Sequence, residues 1–153
     1  MRPVLDLLHR LKTRLLKLLR LNTRGVRVMV FNPNGEILLI RHSYGRSDLY
    51  RLPGGGIRPW EKPEQAARRE TREEVGCTLT DLIAVSTHVS EAEGRRDTVH
   101  FFSAVTLDQP VADDMEVDEA AFFPLHELPD PLSPAAVRRL QEHLGERQAD
   151  GRW

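Results

Sequence analysis

Three glutamates, Glu70, Glu73 and Glu74, stand at positions i, i+3 and i+4. On an α-helix those positions share one face, within an arc of roughly 100°. Like charges so close destabilise a helix unless something cationic neutralises them. Three hard oxygen ligands converging on one spot suit Mg²⁺, with Mn²⁺ as a substitute. Upstream, Leu52-Pro53-Gly54-Gly55-Gly56 places three successive glycines in a loop, and glycine lets backbone approach a ligand closely. Glycine loop, helix and acidic face together point to a metal–phosphate site.

The elements that must position these groups follow from pattern. Pro63 suits a first helical position, Ala66, Ala67, Thr71 and Val75 permit close packing on a sheet, and Gly76 is a C-terminal stop. Lys62 is a poor N-cap, partly offset by Glu64 in the first turn. Residues 26–31 read as a β-branched strand, 32–35 as a turn and 36–41 as a returning strand buried on both faces. A polar loop at 42–48 leads through 49–52 into the glycines. Strands are expected at 78–90 and 98–107, joined by a polar hairpin loop at 91–97. Ser133 is a good N-cap with Pro134 behind it, for a helix running to about His143, and the end of the chain reads as a loose tail. Alternating strands and helices with antiparallel hairpins give an α/β class.

Residues 55–77 resemble the Nudix box, G-x5-E-x7-R-E-U-x-E-E-x-G-U, where U is a bulky apolar residue. Gly55, Glu61, Arg69, Glu70, Glu73, Glu74 and Gly76 fill every fixed position; Thr71 and Cys77 are small residues at the two U positions. The resemblance extends over roughly residues 25–143, including an acidic run, 115–119, that leads into an aromatic strand. It implies an α/β/α sandwich with a mixed β-sheet. It also implies a Mg²⁺-dependent pyrophosphohydrolase acting on a nucleoside diphosphate linked to another group, such as a nucleoside triphosphate or nucleotide sugar. A non-catalytic binding module of the same fold is the alternative. Glu70, Glu73, Glu74 and the Gly55 carbonyl are the expected metal ligands. Arg69 is expected to hold the carboxylates in place, and Glu61 to support the loop. The general base is expected in Glu73 or, downstream, Glu116. Arg41, Arg46 and Arg51 are candidates for phosphate pairing, and Tyr44 and Tyr50 for base stacking.

Composition sets the remaining bounds. The chain has 153 residues, enough for one core, and a net charge of −1, which gives no global electrostatic case for binding DNA. Residues 1–24 hold seven Lys/Arg and one Asp, while the rest hold fifteen Lys/Arg and twenty-two Asp/Glu. The division is thus a basic amphipathic helix within 1–24, a catalytic domain at 25–146 and a tail at 147–153. The helix is expected to pack on its own domain or a sister subunit in a homodimer, with weak membrane contact as the alternative. Cys77 is the one cysteine, so no intrachain disulfide can form, and it is expected to be buried as a small apolar group. No apolar run spans a bilayer, and a cytoplasmic location is expected. His100, within an apolar strand, is expected to be a packed core histidine.

Overall fold

The computed structural model describes residues 7, 8, 11, 22–45, 48–92, 95–113 and 115–153. Seven strands form one mixed sheet: β1 (Thr23–Phe31), β2 (Ile37–His42), β3 (Tyr50–Arg51), β4 (Gly54–Gly56), β5 (Thr80–Ala92), β6 (Arg95–Val105) and β7 (Val117–Phe123). Helices α1 (Pro63–Val75) and α2 (Pro134–His143) complete the described elements. β1 runs parallel to β6 from Thr23↔Asp97 to Phe31↔Val105, and β5 closes that edge as an antiparallel hairpin with β6. β2 pairs antiparallel with β7.

The join between these two halves makes the site. β1 and β2 pair only at Phe31↔Ile37, beside their turn, and then part. Into the fork comes the chain from 50 to 56: β3 pairs with β2, and β4 pairs with β1 through Gly25↔Gly56, Val26↔Gly55 and Arg27↔Gly54. The glycine loop is therefore held on both sides by sheet.

Side-chain alternation sorts the core into two layers. Val26, Val28, Val30, Leu38 and Ile40 face Ala66, Ala67 and Val75 of α1. Met29, Ile37, Leu39 and Leu52 face Ala136 and Leu140 of α2. Ile37, Leu38, Leu39 and Ile40 are all fully buried, as expected for a strand covered on both faces. Each such side chain stabilises the fold by roughly 1.5–3 kcal/mol. The α/β/α sandwich is thus the observed architecture. α1 is closed at its start because the Lys62 N–H donates to Gln65 Oε1 at 3.0 Å, which offsets the poor cap. It ends at Gly76, where φ is +70° and the N–H donates to the Arg72 carbonyl at 2.9 Å. Thr71 is buried and satisfies its hydroxyl on the Ala67 carbonyl, and Cys77 is fully buried, so both small residues fit the sheet–helix interface. Ser133 caps α2 by accepting from the Ala136 N–H.

Several expectations are revised. β5 reaches Ala92 and β6 begins at Arg95, so most of the segment read as a hairpin loop is strand. Register pairs such as Ser90↔Asp97 continue the ladder through polar residues, whose solvated side chains do not oppose it. The buried histidine is His88, 1% exposed, while His100 is only half-buried. The segment read as a loose tail is anchored at its end: the Trp153 ring packs against His88 and Phe101 and lies 5.3 Å from the Arg139 guanidinium. Leu7, Leu8 and Leu11 are helical, but the expected N-terminal helix otherwise lies outside the described residues. No described helix is long and apolar enough to cross a membrane.

Gly54 is the tightest point of the fork. Its φ is +148°, and a Cβ there would sit 2.1 Å from the Val26 carbonyl oxygen and 2.9 Å from Arg27 Cα. Neither is a flexible side-chain end. Gly54→Ala is expected to destabilise the protein by about 3 kcal/mol or more, measured by urea denaturation.

Candidate functional site

Helix α1 presents its acidic face to the fork. Glu74, in the last turn, is 3% exposed, and its Oε2 accepts the Gly54 N–H at 2.9 Å. Glu70, one turn earlier, lies on the next residue of the loop. A Cβ on Gly55 would fall 2.4 Å from the Glu70 carboxyl carbon, so only glycine lets the carboxylate rest there. The two carboxylates therefore lie against the Gly54-Gly55 backbone. The Gly55 carbonyl is turned toward β1, where a Cβ on Gly25 would come within 3.1 Å of it.

Arg69 ties the rest together. It donates to both carboxylate oxygens of Glu61 at 2.7 and 2.9 Å, to Glu70 at 2.7 Å, to Glu73 at 3.1 Å and to the Gly56 carbonyl at 2.8 Å. Those bonds raise the Arg69 pKa further and hold Glu61 down to about 2. Glu61 also accepts from the Arg58 N–H, which pins the loop before the helix. These are the contacts that Arg69 and Glu61, expected as supports, make in the structure. Glu73 differs from its two neighbours. Its side chain is 51% exposed and shared between Arg69 and Arg58. Among the described residues, no three His, Cys, Asp or Glu side chains converge as a ready-made ion cluster. The expected convergence is interrupted by the Arg69 and Arg58 guanidiniums, which draw Glu73 outward.

The donor set nevertheless fits a hard divalent cation. Glu70, Glu73, Glu74 and a loop carbonyl are all oxygen donors on adjacent positions. Burial pushes the Glu74 carboxyl up to about 8, and the negative charges of Glu70 and Glu116 add to that push. The Gly54 N–H and Arg27 oppose it only in part. A cation facing these groups would relieve both effects.

The downstream acid loop comes to the same place. Asp113 Oδ1 accepts the backbone N–H groups of Met115, Glu116 and Val117, which fixes the loop. The Glu116 carbonyl then accepts from the Ser43 N–H and meets His42 Nδ1 at 3.2 Å. Glu116 is exposed, and its charge reaches Glu74 and Tyr44. Sequence reasoning named Glu116 as a candidate and did not name His42. Its Nε2 lies 3.9 Å from Glu74 Oε1, and its ring packs on Tyr44 at 5.1 Å. A histidine ending an apolar strand directly before a polar loop was the available signal.

The candidate substrate residues separate. Tyr44 faces the carboxylates, and burial together with Glu116 and Glu74 pushes its hydroxyl up to about 12. Arg41 and Tyr50 bind the same partner instead: Arg41 pairs with Glu119 at 3.3 Å, and the Tyr50 hydroxyl donates to Glu119 at 2.9 Å. Arg51 lines a cavity beside α2 together with Arg27 and Arg138. Arg46 lies outside the described residues. Arg27 and Arg58 carried no sequence signal beyond being charged.

The NUDIX domain family model matches residues 21–144 of the chain. The chain belongs to the NUDIX family. A Mycobacterium tuberculosis (strain CDC 1551 / Oshkosh) relative, provisionally named mutator protein MutT4, is 38% identical over 112 residues. The match covers 67% of this chain but only 45% of that relative, so the chain spans under half of its length. A Bacillus subtilis (strain 168) relative, provisionally named 8-oxo-dGTP diphosphatase, is 32% identical over 123 residues, with 78% of each chain covered. The crystal structure of a MutT NUDIX hydrolase from Burkholderia pseudomallei superposes with a TM-score of 0.70 at 25% identity, covering 79% of this chain and 97% of the other. The NUDIX assignment accounts for the box and for the fork that holds it.

The pH dependence of stability follows from the two buried neighbours. Glu74 keeps a proton in the native state up to about pH 8 that the unfolded chain releases near 4.5, so it lowers stability as pH rises through that window. His42, held down to about 4, acts in the opposite direction below 6.5, as do His88 and His100, whose pKa values are also lowered. In metal-free buffer, stability is expected to peak near pH 6.5 and to fall by about 2 kcal/mol towards pH 8. Denaturant titrations across that range check this, and Glu74→Gln is expected to remove the alkaline decline.

Proposed function

We propose that this NUDIX protein is a divalent-metal-dependent pyrophosphohydrolase that cleaves a diphosphate linkage in a nucleoside triphosphate or a related nucleoside diphosphate derivative. The observation that carries the reading is the contact of Glu70 and Glu74 with the Gly54-Gly55 backbone inside the β1–β2 fork. A diphosphate resists hydrolysis because its own negative charge repels a nucleophile. The proposed ion is Mg²⁺, held by Glu70, Glu73, Glu74 and the Gly55 carbonyl. Bound there, a divalent cation would neutralise the phosphate charge and lower the pKa of a coordinated water. The name of the Bacillus subtilis relative supports a nucleoside triphosphate as substrate.

The chain's own residues divide the remaining work. Arg69, by gripping Glu61, Glu70, Glu73 and the Gly56 carbonyl, keeps the ligand carboxylates in one place. Glu116 stands at an exposed position whose charge reaches Glu74, so it can accept a proton from an attacking water. Glu73, half-exposed on the same side of α1, is the second candidate for that role. Tyr44 and His42 wall the fork opposite the box.

The test is a nucleotide panel with Mg²⁺ or Mn²⁺, reading phosphate and pyrophosphate separately. Triphosphates are expected to release pyrophosphate and leave a nucleoside monophosphate. Glu73→Gln is expected to lower kcat by at least about 10²-fold with circular dichroism unchanged, since even outer supports of metal ligands are worth 10–100-fold. No turnover across the panel would remove the hydrolase reading. Wild-type turnover in Glu73→Gln would remove the role given to that residue.

A further inference from the structure

His42, the last residue of β2, comes up to the buried carboxylate of α1. Alternation puts it on that side: Leu38 and Ile40 face α1, and His42 is two residues further on. The β2–β7 register also shifts between Arg41 and His42, and an irregularity of that kind re-aims a side chain. The ring is then fixed by its other contacts. Its Nδ1 meets the Glu116 carbonyl at 3.2 Å, and it packs against the Tyr44 ring at 5.1 Å. Only 13% of the side chain is exposed.

Those contacts decide which nitrogen carries the proton. A carbonyl oxygen only accepts, so Nδ1 donates to Glu116. In a neutral imidazole the second nitrogen, Nε2, then holds a bare lone pair. That atom lies 3.9 Å from Glu74 Oε1, too far for a hydrogen bond. The other Glu74 oxygen, Oε2, is already taken by the Gly54 N–H. A divalent ion stands about 2.1 Å from an oxygen or imidazole-nitrogen ligand, so one ion can touch both Nε2 and Oε1. Metal-ligating histidines usually donate their other ring N–H to a carbonyl, a carboxylate or water, as His42 does to Glu116.

We propose that His42 Nε2 is a nitrogen ligand to the divalent cation held by the α1 carboxylates, and that it biases the site toward a transition-metal ion such as Mn²⁺ over Mg²⁺. This rests on the divalent-cation reading of the fork. Carboxylate and carbonyl oxygens suit Mg²⁺ and Mn²⁺ alike, whereas an imidazole nitrogen favours the transition metal. The same ring holds the Glu116 backbone through Nδ1, so it joins the cation site to the loop that carries Glu116.

Pulsed electron paramagnetic resonance of the full chain loaded with Mn²⁺ tests this without turnover. The wild type is expected to show nitrogen modulation of the Mn²⁺ echo, the signature of a directly bound imidazole. Labelling with ¹⁵N-histidine is expected to change that modulation, which ties it to a histidine without any variant. In His42→Asn the side-chain amide keeps a donor for the Glu116 carbonyl but has no imidazole lone pair. That variant is expected to lose the modulation and to bind Mn²⁺ about tenfold or more weakly, with its melting transition retained. Its Mg²⁺ affinity, read by competition, is expected to stay within about threefold of wild type. Bound Mn²⁺ without histidine-nitrogen modulation in the wild type overturns the proposal and leaves the carboxylate site standing. So does modulation that survives in His42→Asn, or an equal loss of Mg²⁺ and Mn²⁺ affinity, which marks a ring that only supports the loop. A wild type that binds no Mn²⁺ removes the cation site and this ligand with it.

Discussion

A carboxylate taken out of water needs compensation, and Glu74 is buried in the last turn of α1 with the backbone N–H of Gly54 bonded to it. That bond joins the end of the helix to the middle of the fork. It works only because Gly54 has no side chain and β1 passes directly against it. Remove the glycine and the loop cannot reach the strand; remove the strand and the loop loses its support. The fork itself exists because β1 and β2 separate after one register pair, which leaves room for β3 and β4. Helix, loop and sheet thus meet at one buried acid.

Around that acid the charges are arranged in opposition. Arg69 neutralises Glu61 and Glu70 and shares Glu73 with Arg58. Glu74 has no comparable ion pair among the described residues: its close ionisable neighbour is His42, which burial and Arg27 keep neutral at ordinary pH. The site therefore holds one carboxylate in a state that favours protonation, beside others paired with arginine. A divalent cation would change the balance by favouring the ionised form of Glu74. Stability in its absence and affinity in its presence are two readings of the same arrangement.

Much of this was legible in the sequence. The spacing of Glu70, Glu73 and Glu74, and the glycines before them, identified the box because those positions admit few other residues. Ile37 to Ile40 announced a strand buried on both faces, and Ser133 announced the start of α2. What escaped depends on long-range approach. His42 and Glu116 are 74 residues apart in sequence and meet only through β2–β7 pairing. Arg41 and Tyr50 looked available for substrate, yet the same pairing sets Glu119 opposite Arg41, where it binds both. Trp153 looked like the end of a tail, because nothing local shows that His88, Phe101 and Arg139 form an aromatic-cationic seat for it. The hairpin at 91–97 misled because its polar residues resemble loop, whereas an exposed two-stranded ladder accepts them.

The central claim is that the Gly54-Gly55 backbone and the carboxylates of α1 form one cation site. Electron paramagnetic resonance of free Mn²⁺, titrated with wild type, Glu70→Gln and Glu74→Gln, measures it directly. Each variant is expected to bind Mn²⁺ at least about tenfold more weakly than the wild type while keeping its fold. Equal Mn²⁺ affinity in all three proteins would contradict the account.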